Sequence, residues 1–353
     1  MGSKLSTRPG NDGEAPPGVV MKKEGELIVV DTLLEEGLND GDLPHLCLDK
    51  TLLMNSGHDA FGPKDLEDVL TTVRWTKRKL NKLSVMFNGG KAAGLAHGGG
   101  IGNFIAKDTA LREVTVLCER LSDESVQSLA EALETNKTVE KLLLGGKELQ
   151  EDAAGALGRV LKSASSSLQQ LTLFNCGFRD VGAELLAFGL AANKNLQRLD
   201  LAYCGIGENG AVAISRAVRL HPALSHLNLK NNAVGTRGST ALADALRGNF
   251  IVRELMLGTN SIGNGGASAL ADAFSDSTTL VYLDLGCNGI DESGGMAIVE
   301  GLARNTSLRH LILRRNAIGP ETCEKIRIGW NNRNAKNSMQ LGNPWHDGLS
   351  LPF

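Results

Sequence analysis

One pattern, LxxLxLxx(N/C)xL, returns along this chain every 28 or 29 residues and restricts its possible folds more than any other feature. Its copies begin at Leu111, Val139, Leu168, Leu196, Leu224, Val252, Leu280 and Leu308. In each copy LxxLxL alternates apolar and variable residues at period two, which describes a short half-buried strand. The second half changes period. Gly265 to Phe274 places small and apolar residues at helical spacing, as do Val181 to Leu190 and Gly238 to Leu246. A unit of one strand and one helix cannot bury its apolar face alone, so neighbouring units must stack into a continuous core. The expected product has parallel strands on an inner curve and helices outside.

The pattern also divides the chain. Residues 1–42 are rich in Gly, Asn, Asp and Lys, carry Pro9, Pro16 and Pro17, and hold one short apolar stretch, Leu27 to Val30. Too little apolar surface is available there to offset the entropy of ordering, so a disordered tail is expected. Residues 43–110 read as degenerate repeats or a cap, with copies at Leu43 and Leu80 separated by an irregular 37 residues. Regular repeats occupy 111–319. Residues 320–353, with Trp330 and Trp345, are expected to close the open end of the core.

The turn after each strand carries Asn232, Asn260, Asn288 and Asn316. Backbone at that turn is buried between coils, so a side chain there must satisfy neighbouring carbonyls and amides. Cys176 and Cys204 stand at the same phase and are expected to serve as small, weakly hydrogen-bonding substitutes. The six cysteines form no CxxC pair, which speaks against a zinc site and for a reducing compartment.

Units of the form LxxLxLxxNxIGxxGAxxLAxxL resemble the ribonuclease-inhibitor-like class of leucine-rich repeat proteins. Ile262-Gly263, Gly265-Gly266-Ala267, Leu270-Ala271 and Phe274 carry the likeness in one repeat, and Ile206-Gly207, Gly210-Ala211, Ile214 and Val218 in another. The resemblance implies an α/β fold, a leucine-rich repeat solenoid or horseshoe with strands concave and helices convex. The class includes ribonuclease inhibitor, the repeat regions of NOD-like receptors and the Ran GTPase-activating protein. An intact nucleotide-binding receptor requires GxxxxGK[ST], whereas Asn88-Gly89-Gly90-Lys91-Ala92 and Gly145-Gly146-Lys147-Glu148 lack the hydroxyl residue. Six cysteines suit a ribonuclease inhibitor poorly. Residues 334–353 hold one acid, Asp347, where the Ran activator has an acidic tail.

A formal charge of −3 leaves no electrostatic footprint for nucleic acid. No apolar run reaches a membrane span or forms a secretory signal, so a cytoplasmic protein is expected. No cofactor, metal or small-molecule site is expected either. The glycine run Gly98-Gly99-Gly100 and Gly102 lacks a strand-loop-helix phosphate fingerprint and reads as a flexible or tight-turn segment.

The strand register can be written as columns. The third position of the later repeats runs Gln170, Arg198, His226, Glu254, Tyr282, His310, and the fifth Thr172, Asp200, Asn228, Met256, Asp284, Ile312. Asp200 and Asp284 lie three strands apart, roughly 15 Å, too far for a carboxylate pair working at about 5 to 9.5 Å. His226 and His310 are equally separated, and Ser225 is expected to point away from its neighbour His226. The reading is thus a non-enzymatic scaffold or adaptor binding a protein on its concave face. Its candidate contact residues are Phe174, Arg198, Asp200, Tyr203, His226, Lys230, Met256, Tyr282, Arg314 and Arg315, with aromatics as anchors and charges around them. A GTPase-activating protein and an enzyme inhibitor are the rival readings. Finally, Met1-Gly2-Ser3-Lys4-Leu5-Ser6 fits the acceptor pattern for N-myristoylation at Gly2, which implies reversible attachment to the cytoplasmic face of a membrane.

Overall fold

A computed structural model describes residues 81–87, 99–118, 121–337 and 349–350, together with the short strands 20–21, 28–29 and 45–49. Trp345 and Gly2 lie outside the described residues, as does most of the segment read as a tail. The chain divides into two compact units, Met1–Glu148 and Leu149–Phe353.

In the first unit, β1 (Val20–Met21) and β2 (Ile28–Val29) form an antiparallel pair. Strands β3 (His45–Asp49), β4 (Lys82–Phe87), β5 (Glu113–Cys118) and β6 (Lys141–Gly145) pair in parallel. The helices Gly99–Lys107 and Asp123–Thr135 belong to the same unit. His45, Lys82, Glu113 and Lys141 stand side by side, so the column survives the irregular spacing between β3 and β4. The glycine-rich segment differs from its expectation: Gly99 to Gly102 open a helix. Gly102 is there because a Cβ would lie 2.7 Å from Ser128 O, so the glycine allows the two helices to approach closely.

The second unit alternates β7 (Gln170–Phe174), β8 (Arg198–Asp200), β9 (His226–Asn228), β10 (Glu254–Met256), β11 (Tyr282–Asp284) and β12 (His310–Ile312) with helices. Every pair from β7 to β12 is parallel and in register, Arg198 with His226, Glu254, Tyr282 and His310 in one row. Strand β13 (Leu349–Ser350) adds in parallel beside β12. The sequence thus produces the α/β repeat solenoid it implies. Between strands run Arg179–Ala192, Glu208–Arg219, Gly235–Arg247, Gly263–Ser275 and Glu292–Arg304, preceded by Glu151–Lys162 and followed by Pro320–Asn337.

The core follows from the two periods. Leu255 in β10 and Leu257 just after it are buried, as are Ala267, Leu270, Ala271 and Phe274 on the i, i+3, i+4 and i+7 face of the following helix, all essentially without exposure. Each such leucine contributes about 2 kcal/mol by leaving water. Trp330, in the helix Pro320–Asn337, is fully buried. The helix Arg179–Ala192 is apolar on both sides: Val181, Leu185 and Phe188 remain exposed, with Lys162 Nζ lying 4.8 Å from the Phe188 ring centroid.

Two hydrogen-bond ladders join the coils. In the expected one, Asn260 Nδ2 donates to Leu229 O (2.8 Å) in the preceding coil and to Leu257 O (3.0 Å) in its own. Its Oδ1 accepts the Val234 amide at 3.2 Å. Asn232, Asn288 and Asn316 repeat the donation to the carbonyl 31 residues back. Cys204 Sγ replaces that bond with one to Leu173 O at 3.2 Å. The neighbouring Cys176 and burial push the Cys204 thiol far up, so it stays protonated and inert.

The second ladder closes the helix ends and has no counterpart in the repeat pattern as first read. Asn193 Nδ2 donates to Leu161 O and Asn249 Nδ2 to Val218 O, while their Oδ1 atoms accept the amides that lead into the next strand. Histidine takes this place at 221. His221 Nδ1 accepts the amides of Ala223 (3.2 Å) and Leu224 (3.0 Å), which leaves the proton on Nε2, buried and without a partner among the described residues. Burial lowers its pKa to about 4. As pH falls below about 6.5 the unfolded chain protonates first, so stability drops across the window from about 6.5 to about 4. His221 is expected to remove about 2 kcal/mol between pH 7 and pH 5. His221→Asn, which restores a donor and cannot titrate, is expected to abolish that component. Urea unfolding of both proteins at the two pH values measures it, and equal pH dependence would contradict the assignment.

Candidate functional site

The sheet face opposite the helices in Leu149–Phe353 carries all ten contact residues expected from the sequence. They reach it by two devices. Arg198, Asp200, His226, Met256 and Tyr282 project from alternate strand positions while Leu199, Leu227, Leu255 and Leu283 turn into the core. Phe174, Lys230 and Arg314 stand two positions beyond the last strand column. Tyr203 and Arg315 occupy a left-handed step at φ 59° and 57° that recurs at Asn175, Asn231, Thr259 and Cys287. Such a step costs an L-residue about 1–2 kcal/mol. It is held because the amide at each step before β12 donates to the next coil, Tyr203 N to Lys230 O and Cys287 N to Arg314 O among them.

At one end of this row Phe174 and Tyr203 meet edge to face, their centroids 5.3 Å apart and their planes at 69°. They are 44% and 48% exposed, the aromatic rings that the strand face offers most fully to solvent. Tyr282 is less open. It leans on His310 at 5.7 Å, and burial, reinforced by Asp284, raises the pKa of its hydroxyl.

The charges are organised differently from the expected ring around the aromatics. Lys230 reaches across an entire repeat to Asp284, Nζ to Oδ2 2.9 Å. Asp284 is buried and also accepts the Gly286 amide at 2.9 Å. Gly258 makes this crossing possible: a Cβ there would sit 3.1 Å from Asp284 Oδ1 and 3.2 Å from Lys230 Cε. His226 is likewise engaged, its Nε2 3.0 Å from Glu254 Oε1. Asp200 accepts from the Ala202 amide (3.0 Å) and from Asn228 Nδ2 (2.8 Å). Arg198, Arg314 and Arg315 are exposed and make no ion pair among the described residues. The sequence reading placed Glu254 and Asp284 in the strand columns but not among the contact residues, and it missed Gly258 and Gly286. A signal for the glycines existed in the column Ala202, Lys230, Gly258, Gly286, Arg314, where two absent side chains separate two long ones.

Ser225 corrects its expectation. Its Oγ lies 2.6 Å from His226 Nδ1, so serine, histidine and Glu254 form a chain. The reason is the strand edge, where Ser225 Oγ is also anchored to Gln197 O at 3.1 Å. Serine chemistry needs amide donors for a developing oxyanion. The amides of Ser225 and His226 both donate to Gln197 O, and neither is free for that purpose.

The family described as Leucine Rich repeat matches residues 164–187, 192–215, 276–299 and 304–326. The chain carries leucine-rich repeats. No curated protein sequence matches it. Among solved structures, it is similar to leiomodin-1 actin-binding site 2, at 20% identity and TM-score 0.37, over 45% of this chain and 91% of that one. It is also similar to the chain in a TLR13–ssRNA13 complex, at 16% identity and TM-score 0.42, over 70% of this chain and 35% of that one. Among the described residues no helix is long and apolar enough to cross a membrane.

The Lys230–Asp284 pair makes its own prediction. Removing the ammonium leaves a buried carboxylate with only one amide, so Lys230→Met is expected to cost about 3 kcal/mol. Lys230→Met with Asp284→Asn is expected to recover most of it. Denaturant melts of the two variants check this, and an undamaged single variant would show the pair to be idle.

Proposed function

We propose that this leucine-rich repeat chain, of the ribonuclease-inhibitor-like class, is a non-catalytic scaffold or adaptor that binds a protein on the strand face of Leu149–Phe353. The observation carrying this reading is the exposed Phe174–Tyr203 pair, whose Tyr203 is fixed on a backbone step with its amide already bonded to the next coil. Rigid aromatics lose little conformational freedom on binding and are enriched, with arginine, among residues that dominate interface energies. Arg198 supplies such an arginine on β8.

Arg198→Ala with Tyr203→Ala is expected to weaken the partner at least about tenfold. Both side chains are exposed, so the melting temperature is expected to stay put. The partner is first identified by proximity labelling, then titrated against wild type and double variant; unchanged affinity removes this placement. In the same preparation, a panel of small GTPases is expected to show no accelerated phosphate release. Acceleration would establish the activating-protein reading in its place.

A second proposal rests on Met1-Gly2-Ser3-Lys4-Leu5-Ser6, which lies outside the described residues: Gly2 is N-myristoylated and brings the chain reversibly to the cytoplasmic face of a membrane. One acyl chain gives marginal binding, and Lys4, Arg8, Lys22 and Lys23 add a thin basic supplement. Intact mass of the protein from native cells is expected to show the acyl group, and Gly2→Ala to shift the protein from membrane to soluble fractions. An unmodified Gly2 ends the proposal.

A further inference from the structure

The row of residues at and just beyond the ends of strands β7 to β12 has an aromatic end, a low middle and a basic end. Phe174 and Tyr203 stand at the first, Arg314 and Arg315 at the last. Between them, in the column of Phe174 and Arg314, Ala202, Gly258 and Gly286 contribute almost no side chain, and in that of Tyr203 and Arg315 stand the shorter Asn231, Thr259 and Cys287. Lys230, the one long residue there, lies flat over Gly258 with its ammonium on Asp284 instead of standing into solvent. From β8 to β12 are four strand spacings, about 19 Å. An extended peptide covers that distance in about six residues.

The acids of the face have partners within it, whereas its arginines have none among the described residues. Asp200 is taken by an amide and Asn228, Glu254 by His226, and Asp284 by Lys230 and an amide. Each acid of the two strand columns therefore has a partner. Arg198, Arg314 and Arg315 have no ion-pair partner among the described residues, and the last two are adjacent in sequence at the end of the row. A guanidinium offers a rigid fork of donors that matches a carboxylate, and complementary charge is what selects one partner over another.

We infer that this row receives an extended acidic segment of a protein partner. The segment crosses the strands with an apolar or aromatic side chain on Phe174–Tyr203 and carboxylates on Arg314 and Arg315, about six residues away. The inference rests on the protein-binding reading above and adds the chemistry of what is bound. Lys230 is not a contact in it. Its role is to lie low, so that the partner's backbone passes over Gly258 and Gly286.

The test is a selection from a displayed library of random peptides about twelve residues long, made against the full chain and followed by fluorescence anisotropy of the enriched peptides. Enriched sequences are expected to pair an aromatic or leucine with Asp or Glu about six positions away. Arg314→Glu with Arg315→Glu is expected to weaken them at least about tenfold. Should that reversal impair folding, Arg314→Gln with Arg315→Gln carries the same expectation. Enriched peptides without acids, sensitive to Arg198→Ala with Tyr203→Ala but not to the changes at Arg314 and Arg315, would overturn the inference and leave the surface reading intact. Peptides insensitive to both sets, or no enrichment, would overturn both. Tighter binding of a single-stranded RNA oligonucleotide, lost on the same reversal, would overturn the inference in favour of nucleic acid.

Discussion

A buried turn between stacked coils has to find partners for its carbonyls and amides inside the protein, and the rest of this structure depends on how that is done. Asn260 shows the solution: one amide group binds a carbonyl in its own coil and one in the coil before, while its oxygen holds the amide of Val234. Because the donor and acceptors lie a fixed 31 and 26 residues apart, the bond sets the register of the strands as well as joining them. Leucines supply most of the burial free energy, but they are interchangeable in shape. The ladder is what makes one stacking unique.

The same logic explains the surface. Coils held in strict register place residues of successive repeats into columns, so an exposed feature is made by residues 28 apart in sequence, such as Tyr282 and His310. The left-handed step before each ladder residue then lifts Tyr203 and Arg315 out of the strand plane in the same way in both repeats. Tyr203 of the aromatic pair and Arg315 of the basic pair are therefore products of one local device repeated along the array.

Much of this was legible in the sequence because period two and helical spacing are local properties. The columns from Gln170 to His310 and the ladder from Asn232 to Asn316 appear where the pattern puts them. What stayed hidden depends on which way long side chains turn. Lys230 reads as a free cation until Gly258 lets it bend to Asp284, and Ser225 reads as turned away until the strand edge brings its hydroxyl to His226. Gly99 to Gly102 looked like a turn because glycine is flexible, whereas tertiary packing against Ser128 uses Gly102 inside a helix. The helix-end ladder at Asn193, His221 and Asn249 was readable in principle, at the same 28-residue period. It escaped because histidine interrupts the asparagines.

Stacked repeats usually sense only their immediate neighbours, so their stability adds along a line. The Lys230–Asp284 bond breaks that rule by joining β9's coil to β11's over the top of β10's. Fraying of any one of the three repeats disturbs an ion pair belonging to the others. This part of the array should consequently open as a block of three, a stiff plate set within a spring, and a partner laid across it meets a surface that does not bend beneath it.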